Sequence, residues 1–472
     1  MKTLHRLLAI AAHLPLAFAL FAPASAQAQR AAPNLGFVYP AGGQQGATFT
    51  VSVGGQNLAA GSVAYISGDG IRARTVNYER PLTQRELNDL REKSQALQDK
   101  RAAARKDATK PRFTPADEKM AADIRQQMAT RGNRQAAPAL AETVTLEVTV
   151  ARDASPGDRE LRLKTPGGLS NPLVFCVGQL PEITDPVVNA MASRPPRSQN
   201  ADPRGARTVA TKEFTVPAVL NGQILPGEVD RFRFKAKKGQ RLTLAASARA
   251  LMPYLADAVP GWFQATLALY DAQGRELAYD DDFRFNPDPV LLREIPADGE
   301  YTIEIKDAIY RGREDFVYRI AVGELPFVTS IFPLGGPIAS RANFALTGWN
   351  LSNEKLSLDT LDRKPGTFLL SVRNEKLLSN SVRFALDTRP EVLALDPAEC
   401  EGQPQALTLP VIVNGRIARP GADAQFRFEG KAGDDFVAEV LARRLGSPLD
   451  SVLTLTDAQG RTVALNDDYA DK

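Results

Sequence analysis

Histidine is almost absent from this sequence of 472 residues, which contains only His5 and His13. Both lie in an N-terminal stretch typical of an export signal, so a chain cleaved after Ala26 would have no imidazole group. This absence excludes Ser-His-Asp and Cys-His catalysis, and it excludes every zinc site that needs a His ligand.

The export signal is predicted over residues 1–26. Lys2 and Arg6 supply its positive start, residues 7–21 its apolar stretch, and small residues precede the cut. The alternative is an N-terminal membrane anchor. The apolar stretch is short for that role, since a spanning helix needs about 20 apolar residues, and Pro15 interrupts it. No other segment is long and apolar enough to span a membrane, so the mature chain is expected to have no span.

Cysteine is also scarce, and the two present, Cys176 and Cys400, are too far apart to resemble a metal-binding pair. Two buried thiols and one long-range disulfide in an oxidising compartment both remain open. The sequence has no phosphate-binding loop and no nucleophile-elbow motif, which leaves serine-lysine chemistry and carboxylate pairs as enzymatic options. The net charge is only +3, and the basic residues are not gathered on one strand pattern. Nucleic acid is therefore not expected as a partner.

Two sequence units alternate along the chain in the order A, B, A, B. In unit A, "LGFVYPAGGQQGATFTVSVGGQNL" (35–58) recurs as "VTSIFPLGGPIASRANFALTGWNL" (328–351). Its second half, "GDRELRLKTPGGLSNPLVF" (157–175), recurs as "GTFLLSVRNEKLLSNSVRF" (366–384). The chain is therefore predicted to contain duplicated modules.

Unit B repeats in the same way. "VLNGQILPGEVDRFRFKAKKGQ" (219–240) resembles residues 412–434, and "LALYDAQGRELAYDDDF" (267–283) resembles "LTLTDAQGRTVALNDDY" (453–469). Apolar and polar residues alternate along the predicted strands, and "DAQGR" places Gly where a tight hairpin needs positive φ. The pattern predicts a mainly β fold of tandem antiparallel β-sandwich modules. The predicted core of the first B unit is Val229, Phe232, Phe234, Leu242, Leu244, Leu267, Leu269, Ile303 and Ile305.

These motifs resemble two known module families. Unit A, with "P-x-G-G", a strand and "G-x-N-L", resembles the immunoglobulin-like IPT/TIG modules. Unit B, with "GEVDRFRF", "LALYDAQG", a pair of Asp residues and "PADGEYTIEI", resembles the bacterial pre-peptidase C-terminal (PPC) domain. The resemblance implies immunoglobulin-like and jelly-roll-like sandwiches in a secreted or surface protein. In the PPC family the unit is often attached to proteases and need not cleave anything itself.

The modules are predicted to cover 33–178 (A1), 205–323 (B1), 326–388 (A2) and 405–472 (B2). A1 carries a polar, helical excess at about 79–138, predicted as a helical hairpin with a Thr83–Glu86 capping box and Pro115 at the start of its second helix. This hairpin is interpreted either as a partner-binding arm or as a decorated loop.

Module B2 lacks anything like the "ADGEYTIEI" strand of B1. We therefore expect either that B2 is poorly ordered or that the sequence is a truncated product, with a catalytic domain possible beyond Lys472.

The aspartates of "LAYDDDFRFN" (277–286) raise the question of a metal site. Calcium prefers oxygen ligands, and some relatives of the resembled family bind it, so Asp281 and Asp282 are candidate ligands, with Asp230 or Asp307 completing the shell. Asp467 and Asp468 are the repeat copy of the pair. A solvated turn is the alternative, since Asp favours turns. A carboxylate-pair hydrolase is disfavoured because no cleft is evident.

Exposed aromatic residues offer another binding option. Trp262 and Tyr254 would stack on sugar or grip peptide, or else pack at the rim of the core; Trp349 has no repeated role.

The sequence thus predicts a secreted or cell-surface, non-catalytic protein that binds or spaces extracellular protein or polysaccharide targets. The alternatives are an accessory region of a secreted peptidase and a structural adhesion or surface-layer stalk.

Overall fold

The computed structural model describes residues 31–106, 112–131, 137–185, 207–208, 211–254, 261–395 and 403–468. The predicted export signal and Cys400 lie outside these residues. Cys176 is a half-buried thiol, and burial raises the pKa of this group. Within the described ranges, the helices are too short or too polar to traverse a lipid bilayer. The prediction of a mainly β chain with antiparallel sheets is confirmed.

Module A1 is a sandwich of two sheets, one in the order β1-β3-β6-β5 and the other in the order β2-β9-β7-β4, with β8 paired to β7. Apolar side chains at alternate positions of β3, β6, β7 and β9 meet between the sheets, as the period of two requires. Its strands are β1 Asn34–Tyr39, β2 Gly42–Gln44, β3 Thr48–Gln56, β4 Val63–Ile66, β5 Ile71–Glu79, β6 Glu142–Val150, β7 Gly157–Thr165, β8 Gly168–Leu169 and β9 Leu173–Gly178.

The repeated "L-S-N" motif joins the two sheets of each A module. Asn171 accepts a hydrogen bond from the Leu35 amide at 2.7 Å and donates to the Leu35 carbonyl at 3.0 Å. In A2, Asn380 makes the same pair of bonds to Val328 at 2.7 and 3.0 Å. The sequence repeat is therefore a repeat of hydrogen-bonded structure.

The insertion of A1 contains the predicted helical hairpin, formed by α1 Gln84–Lys106 and α2 Pro115–Arg131. The Thr83–Glu86 capping box is confirmed, because the Glu86 amide donates to Thr83 Oγ1 at 3.3 Å and the Thr83 amide donates to Glu86 Oε2 at 2.8 Å. Lys100 of α1 binds Asp117 of α2 at 2.8 Å. The excess of A1 over A2 also includes β4 and β5, which the helical pattern of 79–138 did not reveal.

Module B1 is a second sandwich, with sheets in the orders β10-β13-β20-β15-β18 and β11-β14-β19-β16-β17, and with β12 paired to β14. The nine predicted core residues are all buried. Its strands are β10 Glu182–Thr184, β11 Arg207–Thr208, β12 Lys212–Glu213, β13 Ala218–Gln223, β14 Glu228–Ala236, β15 Arg241–Ser247, β16 Ala265–Asp271, β17 Glu276–Asp280, β18 Val290–Glu294, β19 Gly299–Asp307 and β20 Val317–Gly323.

Module A2 is a smaller sandwich, with sheets β21-β23-β24 and β22-β28-β25 and a β26-β27 hairpin. Phe384 contacts Phe344 and Phe368 at its centre, with ring centroids 5.7 and 5.6 Å apart. Its strands are β21 Phe327–Phe332, β22 Gly335–Pro337, β23 Arg341–Trp349, β24 Lys355–Asp359, β25 Gly366–Leu370, β26 Arg373–Asn374, β27 Leu377–Leu378 and β28 Val382–Asp387.

Module B2 forms only two-stranded pairs in its described part, namely β29-β31, β30-β32 and β33-β34. Apolar side chains that would fill a sandwich are open to solvent there, including Val437, Val452 and Leu465. Its strands are β29 Glu391–Leu393, β30 Gln405–Ala406, β31 Ile412–Asn414, β32 Phe426–Arg427, β33 Leu453–Thr456 and β34 Thr462–Asn466.

Candidate functional site: the acidic loop and the module seams

The acidic loop of B1 begins where β17 ends. Asp280 turns back toward the module, and its Oδ2 accepts a hydrogen bond from the Val290 amide at 2.8 Å, which ties the two ends of the loop together. Burial raises the pKa of Asp280 above its ordinary range. Asp281 is half-buried and accepts from the Tyr279 hydroxyl at 3.4 Å, whereas Asp282 is exposed. The three carboxylates are thus tolerated because each has a different environment.

A fourth aspartate of the same loop, Asp288, serves the fold. Its buried carboxylate accepts hydrogen bonds from the amides of Ala248, Arg249 and Ala250 at 3.0, 2.6 and 2.9 Å. These amides begin the short 3-10 turn Arg249–Leu251, whose first N–H groups have no partner of their own. Burial raises the pKa of Asp288.

The tip of the acidic loop contacts module A2. The Phe283 ring lies edge-to-face with Phe327, 5.7 Å between centroids, and the Arg284 guanidinium donates to the Thr329 carbonyl. Arg284 and Phe285 both adopt left-handed backbone, with φ of 54° and 64°. The loop is therefore part of the seam between B1 and A2.

Asp230 does not lie beside the acidic loop. One row of paired residues crosses the sheet from Asp230 through Ile305 and Leu267 to Asp280. Three strand spacings separate its ends, a distance of about 14 Å between backbones. Asp230 is buried and accepts from the Tyr318 hydroxyl at 2.6 Å, and burial raises its pKa to about 7.

Asp307 is fully buried and already bound by protein donors. Its carboxylate accepts from the Gln264 and Arg311 amides at 3.1 and 2.9 Å and forms an ion pair with the Arg311 guanidinium at 3.0 Å. The carboxylate of Asp307 is thus occupied by protein donors, and Asp230 lies three strands away from Asp280. Their role as further calcium ligands stays a prediction.

The repeat copy, Asp467 and Asp468, is exposed. In the part of the chain that the structure describes, no three His, Cys, Asp or Glu side chains converge as ligands of one ion would. Calcium binding by the Asp281–Asp282 pair stays a prediction.

A buried polar seam lies within the B1 sheet where it faces A1, and the Tyr39 hydroxyl of A1 donates there to the Asp185 and Asn221 carbonyls at 2.7 and 3.3 Å. Strand β10, directly after A1, pairs in parallel with β13 and places Glu182 beside Asn221 and Arg319. Arg319 Nη2 binds Glu182 Oε1 at 2.7 Å, and its Nη1 donates to Asn221 Oδ1 at 2.8 Å. Asn221 Nδ2 donates to Glu182 Oε2 at 2.7 Å. Three side chains from three strands of one B1 sheet, β10, β13 and β20, thus satisfy one another.

The Glu–Asn part of this seam recurs in B2, at the strand that directly follows A2. Strand β29 pairs in parallel with β31, and Asn414 Nδ2 donates to Glu391 Oε2 at 2.8 Å. Asn414 lies two residues after the partner of Glu391 in the strand pair, and Asn221 lies two residues after the partner of Glu182. Burial raises the pKa of Glu391. The sequence pattern does not predict this seam, although "P-E" (181–182, 390–391) and "N-G" (221–222, 414–415) repeat in it.

A1, B1 and A2 also meet at one point. The Gln179 side chain of A1 donates to the Lys376 carbonyl and accepts from the Leu378 amide of A2, both at 2.9 Å. Beside it, an apolar cluster of Leu180, Val219 and Leu325 packs with Leu377. Backbone-directed bonds and apolar contacts therefore hold the three modules together.

The predicted aromatic surface is partly present. Trp262 is 43% exposed, and the Arg249 guanidinium lies over its ring at 3.9 Å; Tyr254 is 51% exposed. Trp349 is instead covered by Arg241 of B1 at 3.9 Å and belongs to the B1–A2 seam.

No family model matches this chain. A probable subtilase-type serine protease of Deinococcus radiodurans is 29% identical over 170 residues, which cover 32% of this chain and 22% of the relative. The chain thus spans about a fifth of the length of the curated relative it matches.

Two solved structures show weaker likeness. The pre-peptidase C-terminal domain of a Bacillus anthracis collagenase is 12% identical, with a TM-score of 0.19, over 25% of this chain and 97% of that one. The secreted serine protease VesC of Vibrio cholerae is 10% identical, with a TM-score of 0.16, over 59% of this chain and 46% of that one.

Proposed function

We propose that this chain is an exported, non-catalytic accessory region of a proteolytic protein. Its modules form a fixed platform for protein or polysaccharide ligands. Export is supported by the signal-like residues 1–26, and the link to proteolysis by the similarity to part of a subtilase-type protease. The PPC-like motifs of unit B point in the same direction.

The packing of A1, B1 and A2 is the observation that carries the proposal. A flexible spacer would join its modules by solvated linkers. Here the Tyr39 hydroxyl of A1 donates to the Asp185 and Asn221 carbonyls, and the buried Arg319–Glu182 pair fastens β10, the strand directly after A1, to the B1 sheet. Gln179 reaches A2. Breaking such a buried pair by removing one partner typically costs about 3–5 kcal/mol. The relative orientation of the modules is therefore a property of the fold, which suits a surface built from several of them.

A pair of matched variants tests the platform. Arg319→Ala removes the cation of the seam, whereas Arg231→Ala removes an arginine that pairs with Glu304 within B1 at a partly exposed site. The purified proteins are applied to collagen and glycan arrays and incubated with labelled casein. We expect retention by at least one array probe, loss of that retention in Arg319→Ala, little change in Arg231→Ala, and no casein cleavage by any of them.

Casein turnover by the purified chain would overturn the non-catalytic assignment. Failure to bind any array probe would favour the structural stalk. Equal binding by Arg319→Ala and the unaltered protein would show that the fixed orientation of A1 and B1 is unnecessary.

A further inference from the structure

The two A modules share one strand register, which identifies equivalent edges. In A1, β3 pairs with β6 so that Thr48 lies opposite Thr149. In A2, β23 pairs with β24 so that Arg341 lies opposite Asp359. Thr48 and Arg341 are equivalent in the sequence repeat, so β24 of A2 is the counterpart of β6 of A1.

The outer edge of this strand is paired in A1 and open in A2. Strand β5 of the A1 insertion pairs antiparallel with β6, and Leu146 and Val148 beneath it are fully buried. Strand β24 ends its sheet, and no strand among the described residues pairs with its outer edge. The equivalent side chains, Leu356 and Leu358, are only half-buried.

The hydrogen bonds of the β23–β24 ladder fix which groups face outward. The Thr360 amide donates to the Ser340 carbonyl, and the Leu346 amide donates to the Glu354 carbonyl. Along a strand of an antiparallel pair, the backbone N–H and C=O groups of every second residue bond to the partner strand, and those of the residues between point to the other side. Because Glu354 and Thr360 bond to β23, Leu356 and Leu358 do so as well. Ser357 and Asp359 therefore present their backbone N–H and C=O groups at the open edge, whereas the Lys355 amide is held by Asn353 Oδ1 at 2.9 Å.

The sequence of this edge, "KLSLD" (355–359), is complementary to itself when read in the opposite direction. When two such strands pair antiparallel about Ser357, Lys355 of each copy lies opposite Asp359 of the other copy. The pair therefore contains two such contacts between opposite charges. Leu356 then lies beside Leu358, which extends the apolar face of each sheet. Opposite charges facing each other across a strand pair are stabilising, and like charges there are destabilising.

We propose that β24 is a self-association edge, at which a second copy of this chain pairs antiparallel about Ser357 and joins the two β21-β23-β24 sheets into one. The interface is isologous, because the same strand contributes both sides around a two-fold axis. A1 shows that this edge of an A module accepts an antiparallel strand, and its insertion blocks the same association there.

The test is sedimentation equilibrium of the full chain at concentrations up to roughly 200 μM, where weak strand pairing is detectable. The unaltered protein is expected to form dimers. Lys355→Asp places two aspartates opposite each other at both ends of the strand pair. We expect this change to raise the dissociation constant of the dimer about tenfold or more. Lys355→Asp combined with Asp359→Lys restores opposite charges and is expected to restore the dimer.

Arg383→Asp, an equal change of charge on the opposite sheet of A2, is the matched control and is expected to leave the dimer intact. Near-ultraviolet circular dichroism verifies that each variant is folded. A monomer throughout the concentration range would overturn the proposal. So would a dimer that Lys355→Asp leaves unchanged, or a folded double variant that remains dissociated.

Discussion

In B1, Phe232 and Leu267 are fully buried, whereas their counterparts in B2, Phe426 and Leu453, are 36% and 37% exposed. The "DAQGR" hairpin is nevertheless built identically in both modules. Asp271 Oδ1 accepts from the Gln273 and Arg275 amides at 2.9 Å, and Asp457 Oδ1 accepts from the corresponding amides at 2.9 Å. The hairpin is therefore determined by a few neighbouring residues, while the core depends on distant strands.

Strand β19 accounts for the difference. In B1 it lies between β14 and β16 and pairs with both. The strand that carries Phe232 and the strand that carries Leu267 therefore belong to one sheet. In the described part of B2, the counterparts β32 and β33 belong to separate two-stranded pairs. A central strand made of residues far along the chain converts two local pairs into a closed core.

The largest difference in stability between B1 and B2 is expected when the equivalent core phenylalanine of each module is truncated. Phe232→Ala is expected to destabilise B1 by about 3–5 kcal/mol, because it leaves a cavity in a closed core. Phe426→Ala should cost less than about 1 kcal/mol, since its ring is already partly solvated. Urea unfolding, followed by the fluorescence of Trp262 and Trp349, measures the loss of stability in Phe232→Ala. Hydrogen exchange of B2 peptides measures the loss in Phe426→Ala. Equal losses would refute the comparison.

Lowering the pH should stabilise B1 through Asp230, a residue that B2 replaces with Ala424. The folded pKa of about 7 lies above the ordinary value of 3.8, so the folded state holds a proton that the unfolded state has released. The unfolding free energy therefore falls as the pH rises from about 4 to 7, by up to ~4 kcal/mol from this group.

Asp230→Asn keeps an acceptor for the Tyr318 hydroxyl and should remove this slope. Urea unfolding at several pH values between 4 and 7.5 measures it. An unchanged slope in the variant would assign the pH dependence to other carboxyls.

Calcium should distinguish the two acidic loops if Asp281 and Asp282 bind it. Millimolar Ca²⁺ is expected to stabilise B1 by about 1–2 kcal/mol relative to chelator, as for weak extracellular sites. Asp281→Ala with Asp282→Ala should abolish the rise in melting temperature, whereas Asp467→Ala with Asp468→Ala should leave the rise in B1 unchanged. No rise in the unaltered protein would leave the loop as a turn and a module contact.

The smallest effect should be the same in both modules. Gly274 and Gly460 have φ of 76° and 78°, and an added Cβ would meet no neighbour. Changing either to Ala should therefore cost about 1–2 kcal/mol from backbone strain alone. Hydrogen exchange of the two hairpins measures the loss, and clearly unequal losses would show that the surrounding module contributes.

Local sequence features predicted local structure well. The period-two pattern placed the B1 core, and the Thr83–Glu86 spacing placed the start of α1. The module bounds drawn from the repeat stay a prediction. The seam of Glu182, Asn221 and Arg319 could not be predicted in this way, because its members are brought together by strands up to 137 residues apart. The role of Asp288 in capping Arg249–Leu251 was missed for the same reason, and the acidic motif did not reveal that its loop contacts A2.

The buried polar seam also constrains how such chains can be recombined. A cut at residue 205, the start of B1 predicted from the sequence, removes β10 and leaves the buried Arg319 guanidinium without Glu182. A cut between B1 and A2 separates mainly ring contacts and hydrogen bonds to backbone carbonyls. Gene rearrangements that keep β10 together with β13 and β20 should therefore be the ones that yield a folded B1.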